Sequence, residues 1–233
     1  MYRPDDPHWS FRIVQDNPLA ILSTNGTDAP VLTHLPMVPD PIDFPRPDDP
    51  QNRLARDRRL IGHLNRANPH CAALTDGIEA VAVFHGPHGY VSPTLYDSEI
   101  AAPTWNFTAV HVRGRIEMLH GTGTTLDVVR TTVTALESRF GDGWDECGSL
   151  DYFRRILAGV QAFRLHVVAV DSMAKLSQEK TAEVRLKVAA ALERSERGSR
   201  RELAAMMHAT TATQATGRAS AISCTSDSAS SSK

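Results

Sequence analysis

The run Trp105-Asn106-Phe107-Thr108-Ala109-Val110-His111-Val112-Arg113-Gly114-Arg115-Ile116-Glu117-Met118-Leu119 decides the fold class. Val110, Val112 and Ile116 fall on one side of it, and Ala109, His111 and Arg113 on the other. That period of two belongs to a long strand with one buried face. Upstream, residues 79–84 read as another strand, which Gly86-Pro87-His88-Gly89 turns into Tyr90-Val91-Ser92. Further back, Leu19 to Thr24 reads as a buried strand, with Asn25-Gly26 as its turn and Val31 to Val38 as its partner. Residues 39–58, rich in Pro, Asp and Arg, form a loop. Arg59 to Arg66 is again a strand, with Leu60, Gly62 and Leu64 facing one way and Ile61, His63 and Asn65 the other. Asn68 then caps a short helix with Pro69 at its first position, running to about Leu74. Ala162 to Val170 is the last strand.

Helices frame these strands. A short one is expected over 5–16, ended by Asn17-Pro18, and an amphipathic one over 124–140, closed by Gly141. Ser149 caps a third, which Gly159 stops. A fourth follows Thr181, and the Ser199/Glu202 pair offers a capping box for a restart after Gly198. Strands cluster early and helices late, so the class is α+β, a barrel or sandwich rather than a doubly wound sheet. The expected domain is 1–197, with a short helix over 198–208. The Ala/Thr/Ser-rich stretch 209–233 reads as disordered.

The 233 residues carry 25 Lys+Arg against 27 Asp+Glu, so no general electrostatic drive toward nucleic acid exists. No stretch approaches the roughly 20 apolar residues that cross a bilayer, and the N-terminus lacks signal-peptide character. Three widely spaced cysteines, Cys71, Cys147 and Cys224, suggest neither a disulfide framework nor a zinc site. A cytoplasmic protein is expected.

Several motifs carry no chemistry. Gly121-x-Gly123 lacks the third glycine and any Rossmann unit around it. Ser172-x-x-Lys175 matches an acyl-transferase tetrad by letters only. His85-x-x-His88 has no third metal ligand nearby, and no basic recognition helix is present. Three clusters remain. The first, Gly62 to His70, packs two histidines, an arginine and two asparagines onto a strand and the helix start after it. The second runs from Pro87 through Ser92 and Pro93 to Pro103-Thr104-Trp105-Asn106-Phe107. The third is Lys175-Leu176-Ser177-Gln178, a connection or a polar clamp for an anion. On residues alone, His63 reads as a hydrogen-bonded core group.

Taken in order, these clusters resemble the PaiB-type family of FMN-binding split-barrel proteins. The matching pieces are Asn17-Pro18-Leu19-Ala20, Thr33-His34-Leu35-Pro36, the His63 to Pro69 run, Gly86-Pro87, Tyr90-Val91-Ser92-Pro93, Pro103-Thr104-Trp105-Asn106 and Lys175-Leu176-Ser177-Gln178. They span Met1 to about Ala190. Within that family the sequence is most similar to the haem-binding piperazate synthases. That likeness rests on Ala101 to Thr108, Leu136-Glu137-Ser138-Arg139-Phe140-Gly141 and Gly148 to Leu157. The short segment between Tyr96 and Pro103 lacks the Gly-Lys usual in the flavin-type regulators.

The resemblance implies a homodimeric split β-barrel with peripheral helices, binding haem b with His63 as the axial iron ligand. It implies cyclisation of N5-hydroxy-L-ornithine to L-piperazic acid, for non-ribosomal peptide biosynthesis. Around His63, Arg66 and Lys175 are assigned to haem propionates or the substrate carboxylate. Thr104, Ser92 and Gln178 are assigned as hydrogen-bonding groups for the substrate, and Trp105 and Tyr96 as walls of the haem face. His70 is a second polar group for the same region. The rival readings are an FMN-binding regulator, a flavin-dependent oxidoreductase on the same barrel, and a haem protein without catalysis.

Overall fold

The computed structural model describes residues 2–96, 100–196 and 198–223. Six strands, β1 (Leu19–Thr24), β2 (Val31–Pro39), β3 (Arg59–Asn65), β4 (Glu79–Val91), β5 (Thr104–Leu119) and β6 (Val160–Lys175), close a barrel in the order β1-β2-β3-β6-β5-β4. The registered pairs are antiparallel: Leu22 lies opposite Thr33 and Ala82, Ile61 opposite Val38 and Arg164, and His63 opposite Ala162. Six helices accompany them: α1 (Trp9–Asp16), α2 (Pro69–Ala73), α3 (Thr122–Phe140), α4 (Leu150–Ile156), α5 (Ala182–Glu193) and α6 (Gly198–Ser223). The fold is therefore the α+β barrel expected from the strand pattern.

The chain divides into two compact units. One comprises Pro4–Gly86 and Ala109–Ser172; the other comprises the described residues of Met1–Arg3, Pro87–Thr108 and Met173–Lys233.

In the first unit, inward-facing side chains fill the barrel. A Cβ added at Gly62 would lie 2.9 Å from Phe163 Cζ and 3.1–3.2 Å from Leu35 and Met37. At Gly114 it would lie 2.3 Å from the His166 carbonyl oxygen and 2.9 Å from Leu165. Glycine stands at both positions because neighbouring atoms already occupy the space a side chain would need. A second apolar cluster forms on the outside of the wall, where Val38, Ile61, Leu119 and Ala162 receive Val128 of α3, with Ala135 and Leu136 packed against them.

Outward polar side chains of the same strands interlock. The buried Asp40 accepts Arg164 Nε at 2.7 Å, Arg164 reaches Glu117 at 3.5 Å, and Glu117 meets His166 Nε2 at 2.7 Å. The hydrogen bond from His166, then Arg164, holds the Glu117 carboxyl below its ordinary range. Asp43 takes Arg59 with both oxygens, at 2.9 and 2.7 Å, which lowers its pKa in the same sense.

Three expectations are corrected. The run 86–89 does not turn; β4 passes straight through it. The Pro87 carbonyl accepts from Thr108 Oγ1, and Ser199 Oγ both accepts from the His88 N–H and donates to its carbonyl. These side chains satisfy backbone groups that a Pro-Gly sequence would otherwise leave exposed in a turn. Ser199 is thus bonded to both backbone groups of His88. The last strand runs from 160 to 175, so Ser172 and Lys175 lie on it rather than beyond it. Finally, α6 reaches Ser223, so 209–223 is helical where disorder was expected. Its alanines favour helix enough to carry it past the short segment expected over 198–208. The Ser-rich end, 224–233, lies outside the described residues.

Gly114→Ala should destabilise the protein by about 3 kcal/mol or more, because the Cβ meets backbone rather than a side chain that can move. Urea denaturation followed by circular dichroism measures it; a change within experimental error would show that the wall relaxes.

Candidate functional site

Each unit carries part of the expected constellation. In the first unit, β3 presents His63 on the outward side of the barrel wall, half-buried, two residues from the Ile61 that packs against α3. Its Nδ1 is sealed from solvent and makes no hydrogen bond. Burial pushes the pKa of His63 below 6.5, so the neutral imidazole is the resting form. Arg66 is exposed, its backbone N–H bonded to the Gly159 carbonyl at 2.8 Å, and it makes no ion pair among the described residues.

His70 behaves differently and is corrected from site group to core group. Asn68 caps α2 by accepting the His70 N–H at 2.9 Å, which drops the His70 ring into the interior at 0% exposure. There Nε2 meets Thr24 Oγ1 at 2.9 Å and Nδ1 meets Thr33 Oγ1 at 3.0 Å. Burial lowers its pKa as well. Both ring nitrogens of His70 are satisfied, whereas His63 keeps a buried nitrogen unsatisfied. A lone buried polar atom without a partner is a standing cost.

Among the described residues no group of three or more His, Cys, Asp or Glu side chains gathers around a metal position. One half-buried, neutral imidazole suits an iron that brings its own equatorial ligands, since a porphyrin needs only an axial donor from the protein. His63 thus offers a single neutral nitrogen donor, which is what such a group would need from the protein.

In the second unit, Lys175 at the end of β6 donates from Nζ to Thr104 Oγ1 at 2.7 Å, and its ammonium lies 5.8 Å from the Tyr2 ring centroid. Thr104 accepts only one of the three ammonium hydrogens, and no carboxylate pairs with Lys175 among the described residues. This pair can grip an anionic group.

Gln178 was expected to reach the substrate. Its Oε1 instead accepts the Leu176 N–H at 2.7 Å and its Nε2 donates to the Ala174 carbonyl. Both ends of the amide close their own turn, leaving one Nε2 hydrogen and one Oε1 lone pair beyond these bonds. Ser177, between them, has φ of 59°, a left-handed conformation unusual for serine. Asn106 stabilises it: its amide donates to Ser177 Oγ at 2.9 Å and its carbonyl accepts the same hydroxyl at 3.2 Å, both residues fully buried. Asn106 and Ser177, quoted in two of the sequence clusters without a role, position each other here. Their signal was a polar residue on the inward side of the alternating strand.

Ser92 caps a short 3-10 turn over Pro93–Leu95, taking the Thr94 N–H and hydroxyl on its Oγ. Trp105 is half-exposed; its Nε1 donates to His88 Nδ1 at 3.1 Å, and the Tyr90 ring meets it edge-on at 6.1 Å. Tyr96 is buried, its hydroxyl without a hydrogen bond and its ring 4.5 Å beneath Lys180 Nζ. Burial, first, and the Glu179 charge raise its pKa.

The chain is similar to several known proteins. It is 27% identical over 205 residues to the protease synthase and sporulation protein PAI 2 of Bacillus subtilis, covering 85% of this chain and 89% of that one. It is 33% identical over 132 residues to an uncharacterised protein of Aspergillus fumigatus, covering 45% and 49%. A solved FAD and heme binding protein from Mycobacterium smegmatis matches at a TM-score of 0.49 and 18% identity, over 77% of this chain and 75% of that one. The family described as "Putative FMN-binding domain" matches residues 1–169, most of the chain. With the closed six-stranded barrel, that match places this protein in the FMN-binding split-barrel family.

Proposed function

We propose that this member of the family binds haem b through His63 and is a piperazate synthase, closing N5-hydroxy-L-ornithine to L-piperazic acid. The observation that carries the reading is the contrast between the two buried histidines. His70 has both nitrogens bonded, and His63 is neutral with a sealed nitrogen unsatisfied. With Nδ1 sealed, Nε2 is the nitrogen that would ligate, leaving the proton on Nδ1.

In this reaction the α-amine nitrogen attacks the hydroxylated nitrogen. An N–N bond forms, the N–O bond breaks and the oxygen leaves as water, with no external oxidant or reductant. Both nitrogens belong to one molecule, so holding it folded supplies an effective concentration on the order of 10⁵ M or more. When bound, the haem iron supplies a Lewis acid that polarises the N–O bond. Within its own unit, Lys175 with Thr104 suits a carboxylate, the ammonium keeping donors free beyond the 2.7 Å bond. Arg66, exposed and without an ion pair, suits a propionate. Trp105, half-exposed, suits a flat aromatic neighbour, whereas Tyr96 lies buried beneath Lys180 and Ser92 stays with its turn.

The family description favours a second reading, an FMN-binding regulator or a flavin-dependent oxidoreductase. Pigment separates the two readings. Protein produced with ample haem supply should show a Soret band that shifts on adding N5-hydroxyornithine, and His63→Ala should lose that band. A flavin spectrum, or an unchanged Soret band in His63→Ala, would sink the assignment.

Because burial lowers the His63 pKa, its base form persists below the ordinary imidazole range, and haem ligation should hold as the pH falls through 6.5 and be lost only under more acid conditions. A pH titration of the ferric spectrum checks this; loss of the His-ligated spectrum above pH 6.5 would contradict it. Lys175→Met should raise KM for N5-hydroxyornithine about tenfold or more while leaving the haem spectrum intact. Steady-state kinetics on the haem-loaded variant would show it, and an unchanged KM would remove Lys175 from the site.

A further inference from the structure

In the second unit two side-chain pairs join the same two segments. Lys175 Nζ donates to Thr104 Oγ1 at 2.7 Å. Two residues further along each segment, Ser177 Oγ is bonded to both ends of the Asn106 amide, at 2.9 and 3.2 Å. Thr104 and Asn106 share a face of β5, and Ser177 follows Lys175 just beyond the end of β6. The pairs differ in burial: Lys175 and Thr104 are partly exposed, whereas Asn106 and Ser177 are sealed at 0%.

Ser177 is held at φ of 59°, where glycine would sit without strain. Serine brings the hydroxyl that Asn106 needs, and two directional bonds in a dry interior fix the backbone at 177 against β5. Lys175 depends on such an anchor, because a compact charge on a flexible four-carbon stem is only as well placed as the backbone that carries it. On its other side the Ala174 N–H donates to the Tyr2 carbonyl at 2.8 Å, and the Tyr2 ring lies 5.8 Å from Nζ. The chain is thus tied down one residue before Lys175 and two residues after it. Thr104 accepts from the ammonium, and its own hydroxyl hydrogen has no acceptor among the described residues. That hydrogen and the two remaining on Nζ form a donor set for a ligand with two acceptor oxygens, as a carboxylate has.

We propose that Asn106 and Ser177 are positioning residues for a carboxylate site whose donors are Lys175 Nζ and the Thr104 hydroxyl. This rests on the reading that Lys175 and Thr104 hold the substrate carboxylate, and it gives the sealed pair the task of keeping the ammonium in place.

Calorimetric titration of the full chain tests it, comparing L-ornithine, which has the carboxylate but no N–O bond, with 1,4-diaminobutane, which is ornithine without the carboxylate. The parent should prefer ornithine, and Lys175→Met should erase that preference. Ser177→Gly removes both bonds to Asn106 while suiting the left-handed backbone. It should fold with an unchanged circular dichroism spectrum yet lose about fivefold or more of the preference. On the haem-loaded variant, KM for N5-hydroxyornithine should rise by a similar factor with kcat within about twofold of the parent. Asn106→Leu combined with Ser177→Gly leaves neither polar partner unsatisfied and should behave alike. A purely structural role would lower the melting temperature and leave the preference between the two ligands as it was. That result, with Lys175→Met still erasing the preference, would overturn the positioning role alone. A parent chain without the preference, or a Lys175→Met variant that keeps it, would overturn the carboxylate site as well.

Discussion

Closing six strands into one barrel fixes which face of every strand is filled, and the remaining features of the molecule follow from that constraint. With a side-chain period of two, each residue either points into the barrel or out of it. Inside, space runs out at Gly62 and Gly114, where a Cβ would strike Phe163 or the His166 carbonyl. Outside, the same register sets His63 two residues from Ile61, beside an apolar patch that α3 covers. A slip of one residue along β3 would bring the imidazole into the barrel and Gly62 out of it.

The two histidines of the 63–70 segment show how little residue type alone decides. They lie seven residues apart, and burial lowers the pKa of each. His70 is carried inward by the Asn68 cap and closed between two threonine hydroxyls. His63 has no such neighbours for Nδ1. The first arrangement fixes a core; the second leaves a half-buried neutral imidazole with Nδ1 unbonded.

Much of the fold was legible in the residues because local and tertiary preferences agree there. The Leu19–Thr24 and Val31–Pro39 pair, the 59–65 strand and the Asn68-Pro69 helix start all lie where alternation and cap chemistry put them. One misreading occurs where a distant side chain replaces an expected local bond. Gly86 to Gly89 carries turn residues, yet Thr108 and Ser199 satisfy the backbone and the strand continues. Gln178 is polar and near the expected clamp, yet its amide is committed to Ala174 and Leu176. Neither partnership leaves a trace in sequence spacing. The pairing of Asn106 with Ser177 was illegible for the same reason, the two being 71 positions apart.

The central claim is that His63 supplies the axial ligand to haem iron. Replacing His63 by glycine and adding free imidazole to the haem-reconstituted variant tests it most directly. The expected result is loss of the histidine-ligated spectrum in the variant and its return as imidazole is titrated in. A variant whose haem spectrum matches the parent before any imidazole is added would contradict it.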